Sequence, residues 1–213
     1  MRYGTFYKKM IILDYYGIPG SGKTTKSHEK ANDCRKKGMT IVEPSYDLDH
    51  RHNVMARKLY KLLMTAHIFF SHHNTFSKIQ KIVKENGYKS FYDQLRHIAN
   101  IASKLFVIDK YRQTTDCLIF DEGLAQAAIS LSVNSHISAE DNLKHILVLI
   151  DNAPEIHWVR VKVSIEIALQ RIMKRDTRDT RIEAMKTQQE KEELMKLYEK
   201  AADQISNMMA ISP

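Results

Sequence analysis

Apolar and polar positions along the chain switch between two periods, and the switching predicts strands and helices in turn. Met10 to Tyr16 is a short apolar run that reads as a first strand and leads into a glycine-rich turn. A helix is expected from about Gly22 to Lys37, with Ser27, Ala31 and Cys34 on its inner side and Gly38 as its stop. Met39 to Val42 reads as a second short strand, ended by Glu43-Pro44. Two long amphipathic stretches follow. The first repeats Met55, Leu59, Leu62, Leu63, Ala66 and Phe69 at helical spacing, the second Phe91, Leu95, Ile98, Ala102 and Leu105. Both sets are expected to face the core. Cys117 to Phe120 has the character of a buried strand and ends in Asp121-Glu122-Gly123. Ser138 to Asp141 fits a capping box before a helix carrying Leu143, Ile146, Leu147 and Ile150. Ile156 to Val163 reads as a further strand, and Ser164 as the cap of a helix with Ile165, Ala168, Leu169 and Ile172 inside. The last helix, about Thr187 to Met209, carries Leu194, Leu197, Ala201, Ile205 and Met208 as its apolar stripe. Strands alternating with helices predict an α/β fold with a parallel sheet flanked by helices. No repeat or linker interrupts the 213 residues, so a single domain over 1–213 is expected.

The candidate chemistry begins directly after the first strand. Gly17-Ile18-Pro19-Gly20-Ser21-Gly22-Lys23-Thr24 fits G-x-x-x-x-G-K-[ST] in full, with Thr25 next in line. Glycines there let backbone N–H groups turn inward as an anion nest, and the helix that follows points its positive end at the same place. Lys23 supplies a mobile charge for β- and γ-phosphates, and the Thr24 hydroxyl can ligate Mg²⁺. The plain alternative is a glycine-rich turn without a ligand. Asp121, at the end of an apolar strand, is the second half of such a site and would hold Mg²⁺ with Thr24. Glu122 leaves two readings open, because an Asp-Glu pair also suits ATP hydrolysis with the Glu activating water. Asp14, a charge inside the first strand, has no explanation in the sequence.

Arg171, Arg175, Arg178 and Arg181 recur at spacings of four, three and three, close to one face of a continuous helix. Guanidinium groups suit the charge that spreads over a transferring phosphoryl group. Interleaved Asp176, Asp179 and Glu183 also allow a merely solvated, salt-bridged helix. His67, His72 and His73 lack matching ligands for a metal. Tyr88, Phe91, Tyr92 and Arg96 could line an acceptor pocket or simply be core, and Arg51 and Arg112 could contact an anion, with no motif behind them.

Composition changes this picture little. A formal charge of +8 favours phosphate-bearing partners of any size, but lysines spread along the chain with no RNA-binding signature, so nucleic acid is not expected. No apolar run approaches the ~20 residues of a membrane helix. The N-terminus has no apolar core of signal-peptide length, and Cys34 and Cys117 read as reduced thiols, so a cytoplasmic protein is expected. The guanine-reading N-K-x-D motif is absent, which favours ATP over GTP.

With these elements in order, the chain resembles small P-loop kinases of the thymidylate kinase and deoxynucleoside kinase type. The likeness runs from the phosphate loop 17–24 through Glu43-Pro44, a long helical stretch, the Asp121 strand and strand 156–163 to Arg171-x-x-x-Arg175. It implies a three-layer P-loop NTPase fold with ATP and Mg²⁺ as cofactors. It also implies a lid over about 171–186 whose arginines clasp ATP, and a phosphoryl acceptor, nucleoside or nucleotide, held by the helices between the second and third strands. By the same likeness Lys23, Asp121, Arg171, Arg175 and Glu43 would be catalytic, with Glu43 facing the acceptor or the metal. A homodimer is left open. Two departures stand out. Where those families carry an Arg after the metal-site acid, this chain has Glu122-Gly123, and no clear last strand follows the lid helix, which leaves open a sheet one strand short or a shortened member.

Overall fold

In the computed structural model, which describes residues 10–51, 54–174, 182 and 185–211, strands and helices alternate along the chain. They run β1 (Ile11–Tyr16), α1 (Lys23–Lys36), β2 (Ile41–Val42), α2 (Pro44–Arg51), α3 (Val54–Ser71), α4 (His73–Glu85) and α5 (Phe91–Tyr111). Then come β3 (Cys117–Phe120), α6 (Leu124–Ser132), α7 (Ala139–Leu147), β4 (Glu155–Arg160), α8 (Ile165–Met173) and α9 (Gln188–Ile211). The four strands form one parallel sheet in the order β2-β3-β1-β4. Among the described residues no strand follows β4.

Period-two alternation assigns each strand residue to a face. Ile12, Tyr16, Leu118 and Phe120 enter the main core with Ile101, Leu124, Ile129, Leu143 and Ile205, which come from α5, α6, α7 and α9. The opposite face, with Tyr15, Cys117, Ile119 and Val161, packs on Ala31 of α1 as a smaller cluster. A cavity of ≈410 Å³ opens on that side, lined by Leu13, Tyr15, Cys34 and Cys117 among others. Both cysteines are buried and free, and burial pushes the Cys117 thiol up to about 11. No described helix is long and apolar enough to cross a membrane.

Ser138 and Ser164 start their helices as the sequence predicts, and Ser90 does the same for α5; each accepts from the backbone N–H three residues on. The strand expected over 156–163 is shorter and begins earlier, at Glu155–Arg160. The larger correction concerns α3. Met55, Leu59, Leu62 and Leu63 are exposed, Met55 by 75%, and the buried face carries Met64 and Ile68 with half-buried Tyr60. The helix is apolar on two sides, and the Met64 side is the one that meets α5. On α5 itself Ile98, Ala102 and Leu105 are buried, whereas Phe91 and Leu95 are exposed.

Candidate phosphate-binding site

Parallel pairing sets the C-terminal ends of β1 and β3 side by side, with Asp14 level with Phe120. The segment after β1 therefore lies beside Asp121, at the edge of a parallel sheet where ligands commonly bind. Gly17, Gly20 and Gly22 all have positive φ, and Gly22 in left-handed geometry is the N-cap of α1. Gly20 shows why the loop must be glycine-rich: at φ 77, a Cβ there would sit 2.5 Å from the Ala168 carbonyl oxygen of α8. Gly17 is closed off in the same way by the Val161 carbonyl at 2.5 Å, so neither position has room for a side chain.

Polar contacts hold the loop from three elements. Gly17 N–H donates to Gln126 Oε1 of α6 at 3.2 Å. Arg171 Nη1 of α8 donates to the Ser21 carbonyl at 3.2 Å. Lys23, only 5% exposed, folds back so that Nζ donates to the Gly17 and Ile18 carbonyls at 3.2 and 3.1 Å. Across the strand ends Thr24 Oγ1 donates to Asp121 Oδ2 at 2.8 Å. Two buried oxygens here, Ser21 Oγ and Asp121 Oδ1, have no hydrogen-bond partner. Buried polar atoms left without partners are rare and call for an explanation. Ser21, Thr24 and Asp121 supply the sparse oxygen set with which Mg²⁺, which keeps most of its water and shares phosphate oxygens, is ordinarily held. The donor set fits that ion and a polyphosphate.

Asp14 proves to belong to the same region. Wholly buried, its Oδ2 accepts from the Leu124 and Ala125 N–H groups at 2.6 and 3.3 Å and so caps α6. A Cβ at Gly123 would lie 2.3 Å from that oxygen, so residue 123 must be glycine for the carboxyl to reach the helix end. Burial outweighs these bonds and pushes Asp14 up to about 7. Lys104 of α5 is likewise buried and faces Glu122, Asp121 and Asp14, with Lys61 as a like charge. Desolvation lowers its ammonium to about 8 despite the acids. Glu122 is exposed.

The other sequence candidates lie elsewhere. Glu43 is buried, and its carboxylate meets Arg35 at 2.7 Å and His28 at 3.2 Å, both on α1, while His28 stacks on Tyr46 at 3.8 Å. Arg175, Arg178 and Arg181, with most of the expected lid, lie outside the described residues. Arg112 donates to the Asp151 and Asn152 carbonyls and anchors a loop. His67 meets Phe106 edge-on, and Tyr88 donates to the Leu131 carbonyl, so both are packing groups. Sequence reasoning missed Gln126, Lys104 and His28. Gln126 carried a signal, being the one amide in the apolar run Leu124 to Leu131. His28 carried none.

Compared with known proteins, the chain matches no protein-family model, and no curated protein matches it in sequence.

Proposed function

We propose that this chain is an ATP-dependent phosphotransferase of P-loop type that carries the γ-phosphoryl group of ATP to a small acceptor, a nucleoside or nucleotide. The observation that carries the reading is the Thr24–Asp121 hydrogen bond at the mouth of a glycine-constrained loop, with unpartnered Ser21 and Asp121 oxygens beside it. Bound Mg²⁺, held by Thr24 and Asp121, would offset charge on the phosphates. Loop N–H groups over Gly20 and Gly22 to Thr25 would bind the phosphate oxygens, and Lys23 would turn from the Gly17 and Ile18 carbonyls toward them. Arg171, already tied to the loop carbonyls, supports a kinase reading because it brings a guanidinium to the edge of the transfer site. Arg175, four residues on in the sequence, would join it. Through Arg35 and His28 of α1, Glu43 would orient the second strand's end toward the loop helix. A cytoplasmic setting goes with this activity.

The test is Mg²⁺-dependent ADP release from ATP, with and without nucleosides and nucleoside monophosphates. Stimulation by one acceptor class is expected, lost by about 100-fold or more in Lys23→Ala and in Asp121→Asn. Turnover indifferent to every acceptor but abolished by Glu122→Gln would replace the kinase with a nucleotide-hydrolysing switch, a rival that the exposed Glu122 beside Asp121 keeps open.

A further inference from the structure

Buried Glu43 has one more partner than its charge requires. Arg35 meets Oε2 at 2.7 Å and supplies a full positive charge. His28 Nδ1 nevertheless lies 3.2 Å from Oε1, and its ring is stacked on Tyr46 at 3.8 Å with 9° between the planes. A carboxylate only accepts, so Nδ1 carries the hydrogen, and in the neutral ring the lone pair falls to Nε2. Among the described residues Nε2 has no hydrogen-bond partner, and the His28 side chain is 30% exposed. The imidazole is therefore fixed along one edge and one face and left bare on its other edge. An acid that orients a histidine in this way prepares it to accept a proton.

The pair stands next to the phosphate loop. His28 follows Thr24 by one turn on the same face of α1, and helical side chains lean toward the N-terminus, so the ring lies along the turn that holds Thr24. Val42 pairs with Leu118, which brings Glu43 off the sheet at the end where Asp121 leaves β3. We propose that His28, oriented by Glu43, accepts the proton of an alcohol acceptor as that acceptor attacks the γ-phosphorus. The inference rests on the phosphotransferase reading and narrows it. The alcohol oxygen bonds to the γ-phosphorus, the bond from that phosphorus to the bridging oxygen breaks, and ADP leaves. The hydroxyl proton passes to Nε2 and from there to water. A nucleoside hydroxyl keeps its proton at neutral pH and needs such a group, whereas a nucleoside monophosphate offers an oxygen already ionised. The acceptor that fits this pair is therefore the nucleoside. Glu43 acts only through His28 and is a positioning residue.

Nitrogen NMR of the full chain and ADP release from MgATP test this together. The spectra should show the Nδ1–H tautomer for the ring whose signals vanish in His28→Asn. Glu43→Gln, whose amide NH₂ can face His28 while its oxygen keeps Arg35, should reverse that tautomer. His28→Asn keeps a donor for Glu43 and loses only Nε2. It should lower kcat with nucleosides by about 100-fold or more and leave the Kd of MgATP within about twofold. An Nε2–H tautomer in the wild type overturns the proposal. So does a His28→Asn variant within about threefold of wild-type kcat, or one whose MgATP affinity falls as far as kcat, the mark of a structural role. A chain that phosphorylates nucleoside monophosphates alone overturns it too, and leaves the phosphotransferase reading intact. Transfer to neither acceptor ends that reading and this inference with it.

Discussion

Asp14 and His97 titrate across nearly the same range with opposite effects on stability. Asp14 is ionised in the unfolded chain above about 4 but holds its proton in the native state up to about 7. The native state binds the extra proton, so this group's stabilisation is complete below pH 4 and drains away as pH rises to 7. His97, buried beside the Tyr88 ring with Nε2 unpartnered, is lowered to about 4 by desolvation. Here the unfolded chain binds the extra proton below 6.5, so stability is lost as pH falls from 6.5 through 4. In the wild type the two slopes offset one another over pH 4–6.5. Asp14→Asn, which keeps an acceptor for Leu124, should leave stability falling with acid, and His97→Phe should leave it falling with base. Each slope is at most about 1.4 kcal/mol per pH unit, and urea titrations in Mg²⁺-free buffer at pH 4.5 and 6.5 would separate them. Neither group was legible in the sequence. Asp14 stood out as a misplaced charge, but its purpose depends on Gly123 and Leu124, 109 and 110 positions away, and only the β1–β3 register joins them.

Helices were legible where a local rule places them, and illegible where two faces compete. The Ser138 and Ser164 caps depend on the next three residues alone, and the loop's glycines on its own turns, so both could be read off the chain. The inward face of α3 could not, because periodicity reports that a face is apolar without saying which neighbour it meets. Helix-to-helix contact also lies outside such rules at Asn86 and Asn142. These buried amides, one ending α4 and one inside α7, exchange hydrogen bonds of 2.8 and 3.0 Å. Asn142→Leu should cost about 1–3 kcal/mol by orphaning Asn86. Adding Asn86→Leu should recover part of that loss, and a double-mutant cycle in urea reads the coupling.

At the scale of the whole molecule, the loop joins elements distant in sequence: β1 and α1 form it, α6 holds its first residue through Gln126, and α8 braces it through Arg171. A polyphosphate bound there would fasten all four. MgATP at 100 times its Kd should add about 2.7 kcal/mol, a rise of roughly 5–10 °C in Tm for a chain this long. Lys23→Ala should abolish the rise, and calorimetry with and without nucleotide checks it. The parallel sheet and the placing of Asp121 beside the loop follow from patterns visible in the chain, whereas the strand order and the braces from Gln126 and Arg171 require the fold.

The contact between Asp14 and Gly123 reaches beyond any single molecule. A carboxyl that fills the space where a Cβ would stand makes the two positions one inherited character. Among descendants of a common ancestor, a side chain at 123 should appear only where residue 14 has already become small, and the order of those two changes should be the same in every lineage.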